Sequence, residues 1–192
     1  KRQVLITLNY RLGPWGFLAH PALSAESSHN SSGNYGLLDK IAALNWIRDN
    51  ISAFGGDADN VTIFGQSAGS SSVCALMASP LSQGLFHKAI GQSAACLNPP
   101  GRDANGERRG RALVDAVFAE QATDTLSAED LRKIDNQTLL DAVDASGWAS
   151  QSRIVIDGWV LPESPAQTFS AGRQANVPVL LGSTANEGHL LF

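Results

Sequence analysis

The five residues from Gly65 to Gly69 are the strongest candidates for chemistry in this sequence. They read Gly-x-Ser-x-Gly with Ser67 at the centre. This pattern is typical of a nucleophile elbow, a sharp turn that carries a serine between a strand and a helix. The strained turn would expose the Ser67 hydroxyl, and the following helix would point the positive end of its dipole at the same place. The backbone N–H of Ala68 is then a candidate oxyanion-hole donor.

Packing is the expected reason for the two glycines of the motif. A side chain at Gly65 or Gly69 would collide with the neighbouring elements, so we expect both positions to require glycine as structural turn residues. The five residues alone fit equally a glycine-rich turn in which Ser67 only caps a helix. A P-loop is disfavoured, because the motif lacks its Gly-Lys-Ser/Thr sequence.

The elements that must position Ser67 follow from the hydrophobic patterns around it. Short apolar runs predict parallel strands near 3–10, 61–66, 87–92 and 177–182. Apolar residues at three- or four-residue steps predict a helix from Leu37 to Ile51. Strands that alternate with helices indicate an α/β fold with a mainly parallel sheet flanked by helices.

The remaining segments complete this outline. Residues 70–79 follow the elbow and are helix-compatible, whereas 23–35 are rich in Ser, Asn and Gly and predict a surface loop. The more charged stretch near 100–150 predicts a mostly helical excursion, with helices at 108–120, 127–134 and 137–145.

Composition excludes several classes of protein. The chain has 192 residues, of which 43% are hydrophobic and 17% charged, so it is a globular chain and not a disordered one. Its net charge of −4 disfavours nucleic-acid binding, and no apolar run is long enough to span a membrane. The two cysteines, Cys74 and Cys96, are interpreted as free thiols. The sequence carries no signal for a compartment or an oligomeric state.

Several motifs in register resemble the type-B carboxylesterases, the α/β-hydrolase group that includes para-nitrobenzyl esterases and cholinesterases. The resemblance covers nearly the whole chain and is weakest between 97 and 153. It rests on Asn9–Gly13, Gly16–Leu18, Gly33–Asp39, Ala53–Asp57, Val61–Gly69, Leu85–Ile90, Asp157–Gly158 and Leu161–Pro162.

The resemblance implies the roles of further residues. In this fold the catalytic triad runs Ser, acid, His along the chain. The family's acid follows the next-to-last core strand, which makes Glu187 the expected acid, in preference to Asp157 or Glu163. Ser93 matches a second serine that supports the acid and the base, although a strand-end hydroxyl bonded to backbone is an equal alternative. Gln66 replaces the family's usual Glu and is expected to disfavour cationic substrates.

None of the four histidines fits the role of the base. His20 and His29 precede Ser67, His87 begins a strand, and His189 is too close to Glu187 in sequence to bridge it to a serine. The resemblance places the catalytic histidine and the main oxyanion loop outside this chain. We therefore expect residues 1–192 to form one partial α/β-hydrolase domain that is inactive as an isolated fragment.

Two classes of function follow. The first is a serine carboxylic-ester hydrolase that acts on small-molecule esters through an acyl-enzyme, with no cofactor and no metal ion. The second is a non-catalytic binding module on the same scaffold, which the intact Ser67 and Glu187 disfavour.

Overall fold

A computed structural model of the chain describes residues 3–94, 97, 105–118, 123, 125–148 and 154–187. The chain divides into two compact units. The first unit comprises 1–9, 37–99 and 163–192, and the second comprises 10–36 and 100–162. The assignment of the whole chain to one partial domain stays a prediction.

Helices separate the three strands of the described residues along the chain. In chain order they are α1 (Gly13–Phe17), α2 (Pro21–Glu26), α3 (Tyr35–Asn50), a 3₁₀ turn (Ile51–Phe54), β1 (Thr62–Gln66), α4 (Ala68–Ala78), a 3₁₀ turn (Pro80–Ser82), β2 (Lys88–Gln92), α5 (Glu107–Phe118), α6 (Ala128–Arg132), α7 (Asn136–Ser146), α8 (Pro165–Ser170) and β3 (Val179–Gly182).

A parallel sheet in the order β1-β2-β3 forms the centre of the first unit. Helix α4 packs against β1 and β2. The face towards α4 carries Ile63 and Ala89, both buried, and Gly91, whose added Cβ would lie 2.8 Å from the Ser70 hydroxyl on α4. The predictions of strands near 61–66, 87–92 and 177–182, of the helix after the elbow and of parallel pairing are confirmed.

The apolar stripe of α3 is buried as predicted. Its members are between 0% and 8% exposed: Leu37, Ile41, Leu44, Ile47 and, in the following 3₁₀ turn, Ile51. The 3₁₀ turn that follows α3 ends at Gly55, which takes a φ of 76°, a conformation that glycine adopts without strain.

A cluster of apolar side chains from α2, α5, α6 and α7 forms the core of the second unit, with Leu113 and Val114 of α5 fully buried. Three helices in the 100–150 region confirm its helical character. Their boundaries are set by local chemistry: Ser127 and Asp130 make a reciprocal capping box for α6, and the Asp135 carboxylate accepts two backbone N–H groups at the start of α7.

The prediction of a strand at 3–10 is wrong. No regular element is present from Gln3 to Leu12, and Val4, Leu5 and Leu8 are 46%, 71% and 41% exposed. A strand requires a hydrogen-bonded neighbour as well as an apolar pattern, and none of the described strands pairs with this segment.

The prediction that 23–35 is a surface loop is confirmed for 27–30 and is wrong for the rest of the segment. Helix α2 covers part of the segment, and Ser31, Ser32 and Asn34 are buried. The Asn34 amide donates to the carbonyl of Val155 at 2.8 Å and accepts from its N–H at 3.1 Å. Polar residues can be buried here because their hydrogen bonds are made inside the protein.

The interpretation of free thiols is wrong for Cys74, which is disulfide-bonded. The chain contains one other cysteine, Cys96, which lies outside the described residues.

Candidate functional site

Ser67 lies on a one-residue turn between β1 and α4. Its φ of 53° and ψ of −119° place a non-glycine residue in a region that L-amino acids rarely adopt, as expected of an elbow serine. The turn is held by two hydrogen bonds. The Ser67 N–H donates to the carbonyl of Gln92 at 2.9 Å, and the Ser67 carbonyl accepts from the N–H of Ser71 at 3.0 Å.

The hydroxyl of Ser67 does not cap the helix. Although Ser67 occupies the N-cap position of α4, its side chain makes no capping hydrogen bond, and the residue is exposed. A serine present only as a cap would use its oxygen to accept a first-turn N–H. The structure therefore argues against the capping alternative and leaves this hydroxyl available for chemistry.

The two glycines of the elbow have different reasons to be glycine. A Cβ on Gly65 would lie 2.4 Å from the carbonyl carbon of Gly69, so the strand and the helix approach too closely for a side chain. Among the described residues, a Cβ on Gly69 would meet no atom within 4 Å. The steric prediction is confirmed for Gly65 and is wrong for Gly69, whose backbone is the surface that the Gly65 side chain would strike.

The first turn of α4 offers backbone donors beside Ser67. Ala68 is exposed at the start of the helix, where N–H groups have no partner within the helix. The first turn contains no acidic side chain that would neutralise the positive end of the dipole. An oxyanion that forms on a substrate bonded to Ser67 would therefore meet a favourable potential.

Three candidate residues follow the carboxyl ends of three parallel strands. Ser67 follows β1, Ser93 follows β2, and Glu187 lies five residues after Gly182, the last residue of β3. Because the strands pair in parallel, these ends share one edge of the sheet. Functional groups of open α/β sheets collect at this edge.

Of the three candidate acids, Glu187 makes the fewest hydrogen bonds among the described contacts. Its Oε2 accepts the N–H of Thr184 at 3.1 Å, a bond within its own turn. Asp157 belongs to the second unit, where it accepts the N–H groups of Trp159 and Leu161.

Glu163 is occupied by an ion pair. Its carboxylate receives the Arg173 guanidinium at 2.5 and 2.6 Å and the Thr168 hydroxyl at 2.9 Å. The hydrogen bond from Arg173 is the main cause of a lowered pKa for Glu163. This carboxylate therefore tethers the residues after α8 to those before it, and does not behave as a free acid.

Two of the histidines in the described region accept backbone hydrogen bonds that stabilise local structure. His20 is buried and its Nδ1 accepts the N–H of Ala22, which caps α2. Burial is the main cause of a lowered pKa for His20, which favours the neutral form that this bond requires. His87 Nδ1 accepts the N–H of Val61 at 3.2 Å, as its interpretation as structural predicted.

The other two histidines are His29 and His189. The imidazole of His29 stacks on Trp159, with ring centroids 3.7 Å apart and planes inclined by 9°. His189 lies outside the described residues. Among the described residues, no His/Cys/Asp/Glu group could hold a metal ion. No helix in that part of the chain has the length and apolarity needed to cross a bilayer.

One residue that sequence reasoning passed over, Gln92, also contacts the elbow. Gln66 and Gln92 are exposed and lie opposite one another in the β1–β2 register, so neutral amides precede both Ser67 and Ser93. The Gln92 carbonyl also holds the Ser67 N–H. A signal was present in the sequence, because Gly-Gln-Ser-Ala occurs at 65–68 and again at 91–94.

The parallel sheet, the strained elbow serine and the helix behind it define a protein of the α/β-hydrolase class. The model of the carboxylesterase family matches residues 1–192. The chain therefore belongs to the carboxylesterase family.

Individual relatives support this membership. A fumonisin B1 esterase of Sphingopyxis macrogoltabida is 41% identical over 98% of this chain, and a para-nitrobenzyl esterase of Bacillus subtilis is 42% identical over 98%. The chain spans only 34% and 38% of the lengths of these two proteins. Mouse neuroligin-2 is 37% identical over 96% of this chain, which spans 22% of it.

Solved structures agree. A carboxylesterase of Geobacillus stearothermophilus superposes with a TM-score of 0.79 at 36% identity, covering 95% of this chain and 38% of that one. A para-nitrobenzyl esterase superposes with a TM-score of 0.78 at 39% identity, covering 96% and 39%. The fold class predicted from the sequence is confirmed.

Proposed function

We propose that the protein is a serine carboxylic-ester hydrolase that acts through an acyl-enzyme on Ser67. The observation that carries this proposal is the conformation of Ser67, a strained residue whose exposed hydroxyl makes no capping bond. Strain of this kind persists only where surrounding structure maintains it, and it is concentrated at functional sites. Membership of the carboxylesterase family supports the same reaction.

In the proposed reaction, Ser67 Oγ attacks the carbonyl carbon of an ester and its proton passes to a histidine. The carbonyl oxygen becomes an oxyanion, which the Ala68 N–H stabilises at the start of α4. The C–O bond to the alcohol then breaks as the histidinium returns its proton to the leaving oxygen. Water, deprotonated by the same histidine, then attacks the acyl carbon. The bond from this carbon to Ser67 Oγ breaks, the histidinium returns its proton to Oγ, and the carboxylic acid leaves.

Supporting roles are proposed for three residues at the same sheet edge. Glu187 would accept the Nδ1 proton of the histidine and stabilise its charged form. Ser93 would support the acid and the base. Gln66 places an uncharged amide next to the nucleophile, which gives no attraction to a cationic substrate.

The proposed base is a histidine outside these 192 residues. His20 and His87 each use Nδ1 to accept a backbone N–H, and His29 is stacked on Trp159. Without a base, the hydroxyl of Ser67 is a weak nucleophile at neutral pH.

Fluorophosphonate labelling of the full-length protein tests the proposed function. A hydrolase is expected to be labelled once per chain, with loss of labelling in Ser67→Ala. The competing function is a non-catalytic binding module on the same scaffold. A folded protein that resists the reagent under all conditions would support that alternative.

A second experiment addresses the isolated 192-residue chain. We expect no hydrolysis of a p-nitrophenyl ester above the level of its Ser67→Ala variant, because the proposed base is missing. A reproducible rate that depends on Ser67 would contradict this proposal, and His189 would be the first residue to replace.

A further inference from the structure

The Gly-Gln-Ser-Ala sequence at 65–68 recurs at 91–94, and the structure places the two copies side by side. Strands β1 and β2 pair so that Gly65 lies opposite Gly91 and Gln66 opposite Gln92. In each copy the serine directly follows the last residue of the strand and has a positive φ, 53° at Ser67 and 56° at Ser93. The turn after β2 therefore resembles the elbow after β1, because each contains a serine at positive φ.

The peptide unit between Gln92 and Ser93, here named the bridging peptide, joins this second turn to both neighbouring strands. Its carbonyl accepts the N–H of Ser67 at 2.9 Å, and its N–H donates to the carbonyl of Gly182 at 2.9 Å. A peptide unit is planar and rigid, so these two bonds are held on opposite sides of one fixed group. The bridging peptide therefore connects the backbone of Ser67 directly to the last residue of β3.

We propose that the bridging peptide fixes the separation between Ser67 and the segment that carries Glu187, and that Ser93 is a positioning residue through its backbone conformation. The inference rests on the proposed function, because the separation matters only if Ser67 and Glu187 act together. Gly182 is five residues before Glu187, and the Thr184 N–H in between is bonded to the Glu187 carboxylate.

The positive φ of Ser93 is the part of this arrangement that a substitution can change. Positive φ is strained for residues with a Cβ, most of all for β-branched ones, whereas glycine adopts it freely and asparagine tolerates it. If residue 93 relaxed to negative φ, either the bridging peptide would rotate or the following chain would move. Rotation of the peptide breaks its bonds to Ser67 and Gly182 together.

Two substitutions separate this backbone role from a role of the Ser93 hydroxyl. Ser93→Gly removes the hydroxyl and permits positive φ, whereas Ser93→Thr keeps the hydroxyl and resists positive φ. The backbone role predicts that Ser93→Thr has the lower kcat, by about tenfold relative to Ser93→Gly, with a smaller change in KM. A hydroxyl role predicts the reverse order.

The experiment measures kcat, KM and the rate of fluorophosphonate labelling for these variants of the full-length protein, with p-nitrophenyl acetate as the probe. Ser93→Asn is expected to recover towards the Ser93→Gly value, because asparagine tolerates positive φ. If Ser93→Thr does not fold, Ser93→Ala replaces it and is expected to label more slowly than Ser93→Gly. Equal rates for Ser93→Gly and Ser93→Ala, or a faster Ser93→Thr, would overturn the inference.

Ser67→Ala in the same series separates the two proposals. If it abolishes turnover and labelling while the Ser93 variants follow the hydroxyl order, the proposed function stands and the positioning role fails. If Ser67→Ala keeps full turnover, the proposed function itself fails.

Discussion

Replacement of Gly65 by alanine is expected to displace the elbow and lower the activity of the full-length enzyme. The added Cβ would lie 2.4 Å from the carbonyl carbon, 2.5 Å from the carbonyl oxygen and 2.8 Å from the Cα of Gly69. Carbon atoms pack at about 3.5–4.0 Å, so β1 and α4 must separate by about 1 Å. The obstructing atoms are backbone and cannot rotate away.

This displacement allows the effect to be estimated. Overpacking of this kind costs about 1–3 kcal/mol of stability. A shift of about 1 Å in a catalytic group can reduce the rate about 100-fold. We therefore expect Gly65→Ala to unfold at a lower urea concentration than the wild type, and to lose about ten- to 100-fold in kcat for a p-nitrophenyl ester.

Gly69→Ala is the matched control, because the same added atom meets nothing within 4 Å in the described structure. Alanine is also favoured over glycine within a helix by about 1 kcal/mol. The control is expected to lose less activity and less stability than Gly65→Ala. Equal losses in the two variants, or a Gly65→Ala enzyme with wild-type kcat and stability, would refute the steric account of the elbow.

Three further predictions concern single side chains. His20→Asn keeps a capping side chain and removes a titrating group. Because the folded pKa of His20 lies below its ordinary value of 6.5, the unfolded chain binds more protons. Wild-type stability should therefore fall as pH drops through 6.5, and urea titrations should show a weaker fall in the variant; parallel curves would count against this linkage. Asn34→Ala leaves the buried N–H and carbonyl of Val155 without their Asn34 partners. The free energy of unfolding, measured in urea, should fall by about 1–3 kcal/mol for each group, and a fall below about 0.5 kcal/mol would contradict this prediction. Glu187→Gln should lower kcat by about 10³–10⁴, whereas Glu163→Gln, which loses an ion pair with Arg173, should keep kcat. The reverse order in a steady-state assay would assign the acid to Glu163.

Sequence patterns predicted two kinds of element: helices whose buried residues recur at a regular spacing, and motifs whose residues are adjacent in the sequence. The stripe of α3 is an example, because Leu37, Ile41 and Leu44 mark one face of a helix without reference to the rest of the chain. Strand β1 and the elbow were predicted because glycine, serine and a short apolar run occur in a fixed order. The segment 3–10 has an equally good strand pattern, but the formation of a strand depends on a partner that the pattern does not specify.

Long-range contacts were the part that the sequence could not supply. Asn34 is buried because Val155, 121 residues away, offers both a donor and an acceptor. At the site, the motif around Ser67 suggested its chemistry, and the resemblance to type-B carboxylesterases suggested that of Glu187. The bonds of the Gln92–Ser93 peptide unit to both neighbouring strands became apparent only from the paired strands.

Trapping of the covalent intermediate tests the central claim most directly. The full-length protein would be mixed with a p-nitrophenyl ester, quenched in acid within the first turnover, digested and mapped by mass spectrometry. The account predicts one acyl group per chain, on the peptide that contains Ser67, and none in the Ser67→Ala variant. An acyl group on another residue, or turnover at the wild-type rate by folded Ser67→Ala, would contradict it.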